Sequence, residues 1–322
     1  LSAARRALVT GASGFIGRHL VPALAERYAV VDTVDLLPSP ITVPGTELTG
    51  DACDLLPRLD RYDAVFHLAA SVGGRQQLED DPMSVVGNLA IDSAFFRFVA
   101  RTRPDSAAYL SSSAVYPFTG EPVPGGLAES VVDLGESQVG VPDGVYGWVK
   151  LTGERIANAV TAQCGIPIAL YRPFTIYGPG QTSDYPVPAI VARARARLDP
   201  IVVWGSGRQV RDLIHIDDAV AAIVESHDHI SGATPVNVCT GVGTTFAQIA
   251  AVAAEAAGYT PTICGDTSKP GGVASRVGAG RRMAQWHVPM CAAADGIAAL
   301  LHEGLRREAD GDGTAPTSDL RS

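Results

Sequence analysis

Short apolar runs alternate with helical patterns along the first half of the chain. Residues 7–10 (Ala-Leu-Val-Thr) read as a strand and residues 16–27 as a helix. Further strands are predicted at 29–35, in a short run near Leu48, and at 64–70. A helix over 85–100, a strand over 107–112, a helix over 146–162 and a strand over 166–171 complete this half. Strands that are apolar along nearly their whole length, separated by helices, predict a parallel sheet covered on both faces. Beyond Pro173 the pattern loosens. Segments rich in Gly and Pro alternate with helices predicted around 187–198, 217–226 and 245–257. That is the pattern of a smaller lobe added to the end of the sheet, with a soft boundary, because such chains can pass back into it. No internal repeat is evident.

Composition narrows the class. A chain of 322 residues, 46% apolar and 18% charged, is globular and long enough to bury a substantial core. A formal charge of -9 argues against a nucleic-acid partner, which needs clustered Lys and Arg, yet leaves room for one nucleotide held by a few local donors. Cys53, Cys164, Cys239, Cys264 and Cys291 are scattered, with no CxxC or Cys/His cluster. Reduced thiols are expected, with neither a disulfide framework nor a metal site. No apolar run approaches the roughly 18 residues of a membrane span. The opening Leu1-Ser2-Ala3-Ala4-Arg5-Arg6 leads into a strand without a signal-peptide pattern. The expectation is a cytoplasmic protein with no membrane partner. Residues 307–322, polar and aperiodic, are expected to form a loose tail.

The first strand runs into Gly11, Gly14 and Gly17, and a helix follows. Gly11 permits a tight turn, Gly14 lets backbone approach a pyrophosphate, and Gly17 lets helix and strand pack closely. The helix N-terminus then offers free N–H groups and a positive dipole end to phosphates. Asp35 closes the second predicted strand, 18 residues past Gly17. An acid there accepts hydrogen bonds from a ribose diol and repels a 2′-phosphate, which favours NAD over NADP. Asp32 competes for that role from mid-strand.

The Gly-x-x-Gly-x-x-Gly spacing, with Phe15 and Ile16 inside it, resembles the extended short-chain dehydrogenase/reductase family, which includes nucleotide-sugar epimerases, dehydratases and decarboxylases. The likeness covers most of the chain. It continues through Gly50-Asp51, His67-Leu-Ala-Ala70, Asn88, Ser111-Ser-Ser-Ala-Val-Tyr116, Tyr146-Gly-Trp-Val-Lys150, Arg172-Pro-Phe-Thr-Ile-Tyr-Gly-Pro-Gly180 and Arg211-Asp-Leu-Ile-His-Ile-Asp217. It implies an α/β architecture: a Rossmann doubly wound parallel sheet with a smaller C-terminal α/β substrate-binding lobe. Residues 1–172 are then the NAD-binding domain, 173–306 mainly the substrate lobe with some return to the sheet, and 307–322 the tail. It also implies cofactor contacts from Gly11, Gly14, Phe15, Ile16, Gly17, Asp35, Asp51, Ala52, Leu68, Ala69, Ala70, Asn88, Tyr146 and Lys150. A homodimer through the helices at 85–100 and 146–162 is implied as well.

Tyr146 and Lys150 stand four residues apart on a predicted helix and so share a face. A phenol, with an unperturbed pKa near ~10, is a poor base at neutral pH. A fixed ammonium beside it favours the phenolate. Taken alone such a pair is common on surfaces; downstream of a complete nucleotide-binding half it reads as catalytic. The resemblance assigns the partner hydroxyl to Ser112, with Ser111 and Ser113 as neighbours that can mislead. In dehydratases, decarboxylases and 3,5-epimerases of the family an acid or Cys stands in the next two positions. Here they are Ser113 and Ala114, and Ala114 cannot move a proton. The minimal set Ser112, Tyr146 and Lys150 resembles a 4-epimerase of a nucleotide sugar. Ser71, Ser113, Thr175, Arg211 and Arg276 are expected at the substrate, the two arginines on its diphosphate. Departures at Val149, Thr175 and Ala279 leave UDP-, dTDP- and GDP-sugars open, and Ser71-Val-Gly-Gly74 resembles a GDP-sugar branch. His215 and Asp217 read as structural hydrogen bonding, as does His67. Trp148 is either core or partner-facing. The alternatives are a dehydratase or decarboxylase, a keto-sugar reductase of the same fold, and a non-catalytic NAD-binding sensor.

Overall fold

A computed structural model describes residues 4–73, 80–118, 122–134 and 140–309. The strands that begin the chain are β1 (Arg6–Thr10), β2 (Val30–Asp35), β3 (Glu47–Thr49), β4 (Ala64–His67), β5 (Ser106–Leu110) and β6 (Ile168–Pro173). The helices between them are α1 (Gly17–Ala25), α2 (Ala52–Leu55), α3 (Asn88–Thr102) and α4 (Gly144–Cys164). The chain then leaves the sheet through β7 (Thr175–Tyr177), α5 (Pro186–Arg195), β8 (Ile201–Trp204) and β9 (Val210–His215). It returns through α6 (Ile216–His227) and β10 (Ala233–Val238). Seven parallel strands therefore form one sheet, in the order β10-β6-β5-β4-β1-β2-β3. This is the Rossmann arrangement, and the order reverses between β1 and β4. A crevice opens there, at the carboxyl ends of the strands, and that is where open α/β sheets take their ligands.

The continuous apolar runs follow from two-sided burial. In β1, Ala7 and Val9 join a core with Leu20, Val21 and Leu24 of α1 and Ala219 and Ile223 of α6. Leu8, pointing the other way, joins Phe95, Phe98 and Val99 of α3 and Ala157 of α4. Pro82–Thr102 corrects the expectation from apolar runs, because it is long and apolar enough by composition to cross a membrane. Its Phe95, Phe96, Phe98 and Val99 are buried against the sheet.

The remaining elements are β11 (Gly243–Thr245), α7 (Phe246–Ala256), β12 (Ile263–Asp266), β13 (Ser275–Arg276) and α8 (Ala293–Ala309). β9 pairs with β7 and β13 in parallel and with β11 antiparallel, while β8 pairs with β12. A third core gathers Ile190 and Ala194 of α5, Ile201, Leu213, Ile249 and Ala253 of α7, and Ile297 and Leu301 of α8. The expected tail is corrected in part: α8 runs through Ala309. Residues 310–322 lie outside the described residues, as does Gly74.

Candidate active site

A cavity of about 710 Å³ opens at the carboxyl ends of β1, β2, β4 and β5. Gly11 turns the chain from β1 toward α1 with φ +74°, and a Cβ on it would stand 2.5 Å from the Ala69 nitrogen. A Cβ on Gly17 would collide with the Gly11 carbonyl oxygen. The turn admits no side chain at either place, so backbone amides and the start of α1 face the cavity. Phe15, Ile16, Ala52, Leu68, Ala69, Ala70 and Ser71 line it with Gly11, Gly14 and Gly17.

Asp35, at the end of β2, accepts hydrogen bonds from the Ser13 and Leu37 amides at 2.9 and 3.0 Å and faces the cavity. Asp32 is settled otherwise. It is buried and holds Arg6, Tyr62 and the Thr46 amide. Asp51 caps α2 through the Cys53 amide at 2.8 Å and also lines the cavity. The side-chain-free turn, the helix amides and the acid at the end of β2 are the donor and acceptor set that a dinucleotide needs. Asn88 is off the wall. Its amide both accepts from the Ser71 nitrogen (2.6 Å) and donates to the Ser71 carbonyl (2.8 Å), so it positions the wall instead of touching the cavity.

Tyr146 and Lys150 lie one turn apart on α4 and both face this cavity, as does Ser112 at the end of β5. The Ser112 hydroxyl hydrogen-bonds Tyr146 and accepts from the Ala114 amide at 3.1 Å. Gly147 allows that closeness, because a Cβ there would strike the Ala114 carbonyl oxygen. The serine triplet is thereby sorted. Ser111 donates to Glu154 at 2.6 Å, Ser113 offers its carbonyl to Arg276, and Ser112 remains for Tyr146.

Burial pushes the Tyr146 phenol well up; the charges of Tyr185 and Asp92 add to this, and the Ser112 hydrogen bond opposes it. Burial also pulls the Lys150 ammonium down, against Asp92 and Glu154. The protein alone thus holds the phenol protonated.

At the far end Thr175 and Arg211 line the cavity, together with Phe174, Gln181 and Tyr185, which sequence reasoning did not single out. Their one signal was position: Gln181 and Tyr185 follow Tyr177-Gly-Pro-Gly180 and lead into α5. Arg211 donates to the Val273 carbonyl at 2.8 Å, and its guanidinium lies 5.2 Å from the Phe246 ring centroid. Ser113 and Arg276, expected at the substrate, are not among the residues that line the cavity. Arg276 is buried beneath the turn after β5. It donates to the Ser113 and Tyr116 carbonyls at 2.7 and 3.1 Å and pairs with Asp143 at 3.1 Å. His215 caps α6 by accepting from the Asp217 amide, and Asp217 itself is exposed. Buried Asp212 accepts from Thr240, Gly241 and Gly278. Trp148 is 47% exposed.

A family model described as the NAD dependent epimerase/dehydratase family matches residues 7–239. The chain belongs to that family. Its members use NAD, which is the cofactor the glycine turn and Asp35 fit. Among solved structures, MoeE5 in complex with UDP-glucuronic acid and NAD is similar, with a TM-score of 0.80 and 28% identity. The match covers 94% of this chain and 99% of that one. The putative GDP-L-fucose synthase 2 of Oryza sativa subsp. japonica is 32% identical over 213 residues, 63% of this chain; the match spans 59% of that relative's length. The uncharacterized UDP-glucose epimerase YtcB of Bacillus subtilis is 29% identical over 251 residues, covering 70% of this chain and 74% of the relative.

Proposed function

We propose that the chain is an NAD-dependent epimerase of a nucleotide-activated sugar, acting at C4. One observation carries this. Ser112, Tyr146 and Lys150 converge on the cavity, and among its described lining residues the only carboxylates are Asp35 and Asp51, both at the cofactor end. An elimination or a decarboxylation asks for a further acid or base at the sugar. Oxidation and re-reduction of one carbinol carbon do not. The MoeE5 complexes with UDP-glucuronic acid and with UDP-glucose support a UDP-sugar.

In this reading NAD, when bound, supplies the acceptor for the hydride leaving the sugar carbon, the donor that returns it, and a positive ring charge near Tyr146. Tyr146 takes the proton from the sugar hydroxyl and gives it back after the keto-sugar has turned over in the cavity. Ser112 shares that oxygen and fixes the angle of approach. Lys150 adds the fixed cation that favours the phenolate and holds the cofactor ribose. Leu89 of α3 and Val145 and Trp148 of α4 are exposed on two helices that pack together. We infer that this face meets a second copy of the chain, and light scattering on wild type and Trp148→Glu, expected to be dimer and monomer, tests it.

The likeness to a GDP-L-fucose synthase favours a second reading, a keto-sugar reductase. Purified protein without added cofactor, incubated with UDP-, dTDP- and GDP-sugars including uronic acids, separates the two. A product of unchanged mass, with NAD released on denaturation, is expected. Turnover only with added reduced cofactor and a two-hydrogen gain would make it a reductase, and loss of water or carbon dioxide a lyase.

A further inference from the structure

Behind the cavity, the buried charges can be paired off. Two cations, Lys150 and Arg172, and two carboxylates, Asp92 and Glu154, are almost wholly buried. Arg172 of β6 grips Glu154 twice, Nε to Oε1 at 2.9 Å and Nη2 to Oε2 at 2.6 Å. The Ser111 hydroxyl adds a third bond to Oε1. The charge of Glu154 is therefore met within its own pair.

Asp92 of α3 is left facing Lys150. His67 of β4 does not neutralise it, because burial lowers the imidazole's affinity for a second proton. The neutral ring sits with Nε2 3.3 Å from Asp92 Oδ1 and Nδ1 2.7 Å from the Thr10 hydroxyl. Between Asp92 and Lys150 stands Tyr109 of β5. Its hydroxyl donates to Asp92 Oδ2 at 2.6 Å, and its ring centroid lies 4.8 Å from Lys150 Nζ. A phenol bound to a carboxylate presents a more electron-rich face, so anion and cation are coupled through one ring.

We propose that Asp92, acting through Tyr109, is the buried counter-ion of Lys150, a positioning residue that keeps the ammonium charged beside Tyr146. This rests on the catalytic reading of Lys150. The groups acting on that ammonium are Glu154 on its own helix, Tyr109 on β5, Asp92 on α3 and, beyond these, His67 on β4, with Tyr146 one turn away on α4. Burial drives Lys150 toward the neutral amine, and Asp92 is the stronger of the two carboxylates that oppose it. Without the Asp92 charge, Lys150 loses its proton at lower pH and Tyr146 loses its fixed cation.

Lys150 and Lys269 are the two lysines of the chain, so side-chain-labelled lysine gives one resonance to follow and one control by NMR. In Asp92→Asn the Lys150 midpoint is expected at lower pH than in wild type, with Lys269 unmoved. Tyr109→Phe keeps the ring and loses the bond to Asp92, and its midpoint is expected between the two. The basic limb of the pH–turnover profile moves the same way, with turnover near pH 8 reduced about tenfold. Thermal unfolding checks that both variants fold. A Lys150 midpoint unchanged by Asp92→Asn overturns the assignment, whatever the activity does. A shifted midpoint in a protein that turns over no nucleotide sugar upholds the counter-ion and removes the epimerase reading instead.

Discussion

Burial works against both Tyr146 and Lys150, raising one and lowering the other. In the protein alone both groups are thus driven toward their neutral forms. Tyr146→Phe removes the hydroxyl and little else. It is expected to lower turnover about a hundred- to ten-thousand-fold with NAD content unchanged, measured by product assay and by release of cofactor on denaturation. Gly17→Ala acts at the other end. Its methyl meets a backbone oxygen that cannot yield, so α1 must shift off β1. Loss of bound NAD and a thermal midpoint several degrees lower are expected, the latter corresponding to about 1–3 kcal/mol. Residues of this kind were legible because their chemistry is local: a glycine spacing, an acid at a strand end, a Tyr and a Lys one turn apart. Arg276 was not. It reads as a second phosphate ligand until the fold brings it to the carbonyl of Ser113, 163 residues away, whose pull no spacing announces. Asn88, expected as a cofactor contact, instead holds the Ser71 backbone, a partner known only from the structure.

Among the elements, α4 carries Tyr146 and Lys150, and β6 ties it down through Glu154 and Arg172. Breaking a buried ion pair from one side leaves the other charge stranded. Arg172→Met is therefore expected to cost about 3–5 kcal/mol in denaturant unfolding, whereas the double variant with Glu154→Leu recovers a large part of it. If the single and double variants are equally unstable, the pair is not what holds α4 to β6. The strands of the first half were legible because two-sided burial writes an unbroken apolar run. α8 escaped notice because, among its described side chains, only Ile297 and Leu301 are fully buried, too thin a stripe to stand out. The return to the sheet was anticipated, though β10 was not located, since Pro235 and Thr234 interrupt its apolar run.

For the whole molecule, acid stability turns on imidazoles that the fold keeps neutral. His227, at the end of α6, packs against Phe66 of β4 with ring centroids 4.5 Å apart and planes tilted by 43°, and sets Nε2 2.8 Å from the Ser106 hydroxyl of β5. Its Nδ1 is buried with no partner. A bare lone pair there is tolerable, but a proton would place an N–H⁺ against nothing that accepts it. Burial accordingly pulls the pKa down to about 4, overcoming the opposing charge of Asp228, with Arg5 and Arg27 adding to the fall. The unfolded chain, with its histidine near ~6.5, takes up the proton first as pH falls. Folding is thus undisturbed by this group above about pH 6.5 and progressively weakened from there down to about 4, by about 3 kcal/mol in all. His67, also lowered by burial, acts in the same direction. His227→Gln keeps a donor for Ser106 and cannot titrate. Its unfolding free energy, measured in denaturant at several pH values, is expected to fall less steeply between pH 6.5 and 4 than that of wild type, by about 1.4 kcal/mol per pH unit. Parallel slopes for the two proteins would mean that His227 takes up its proton as readily in the folded chain as in the unfolded one, and that burial at the end of α6 does not hold it neutral.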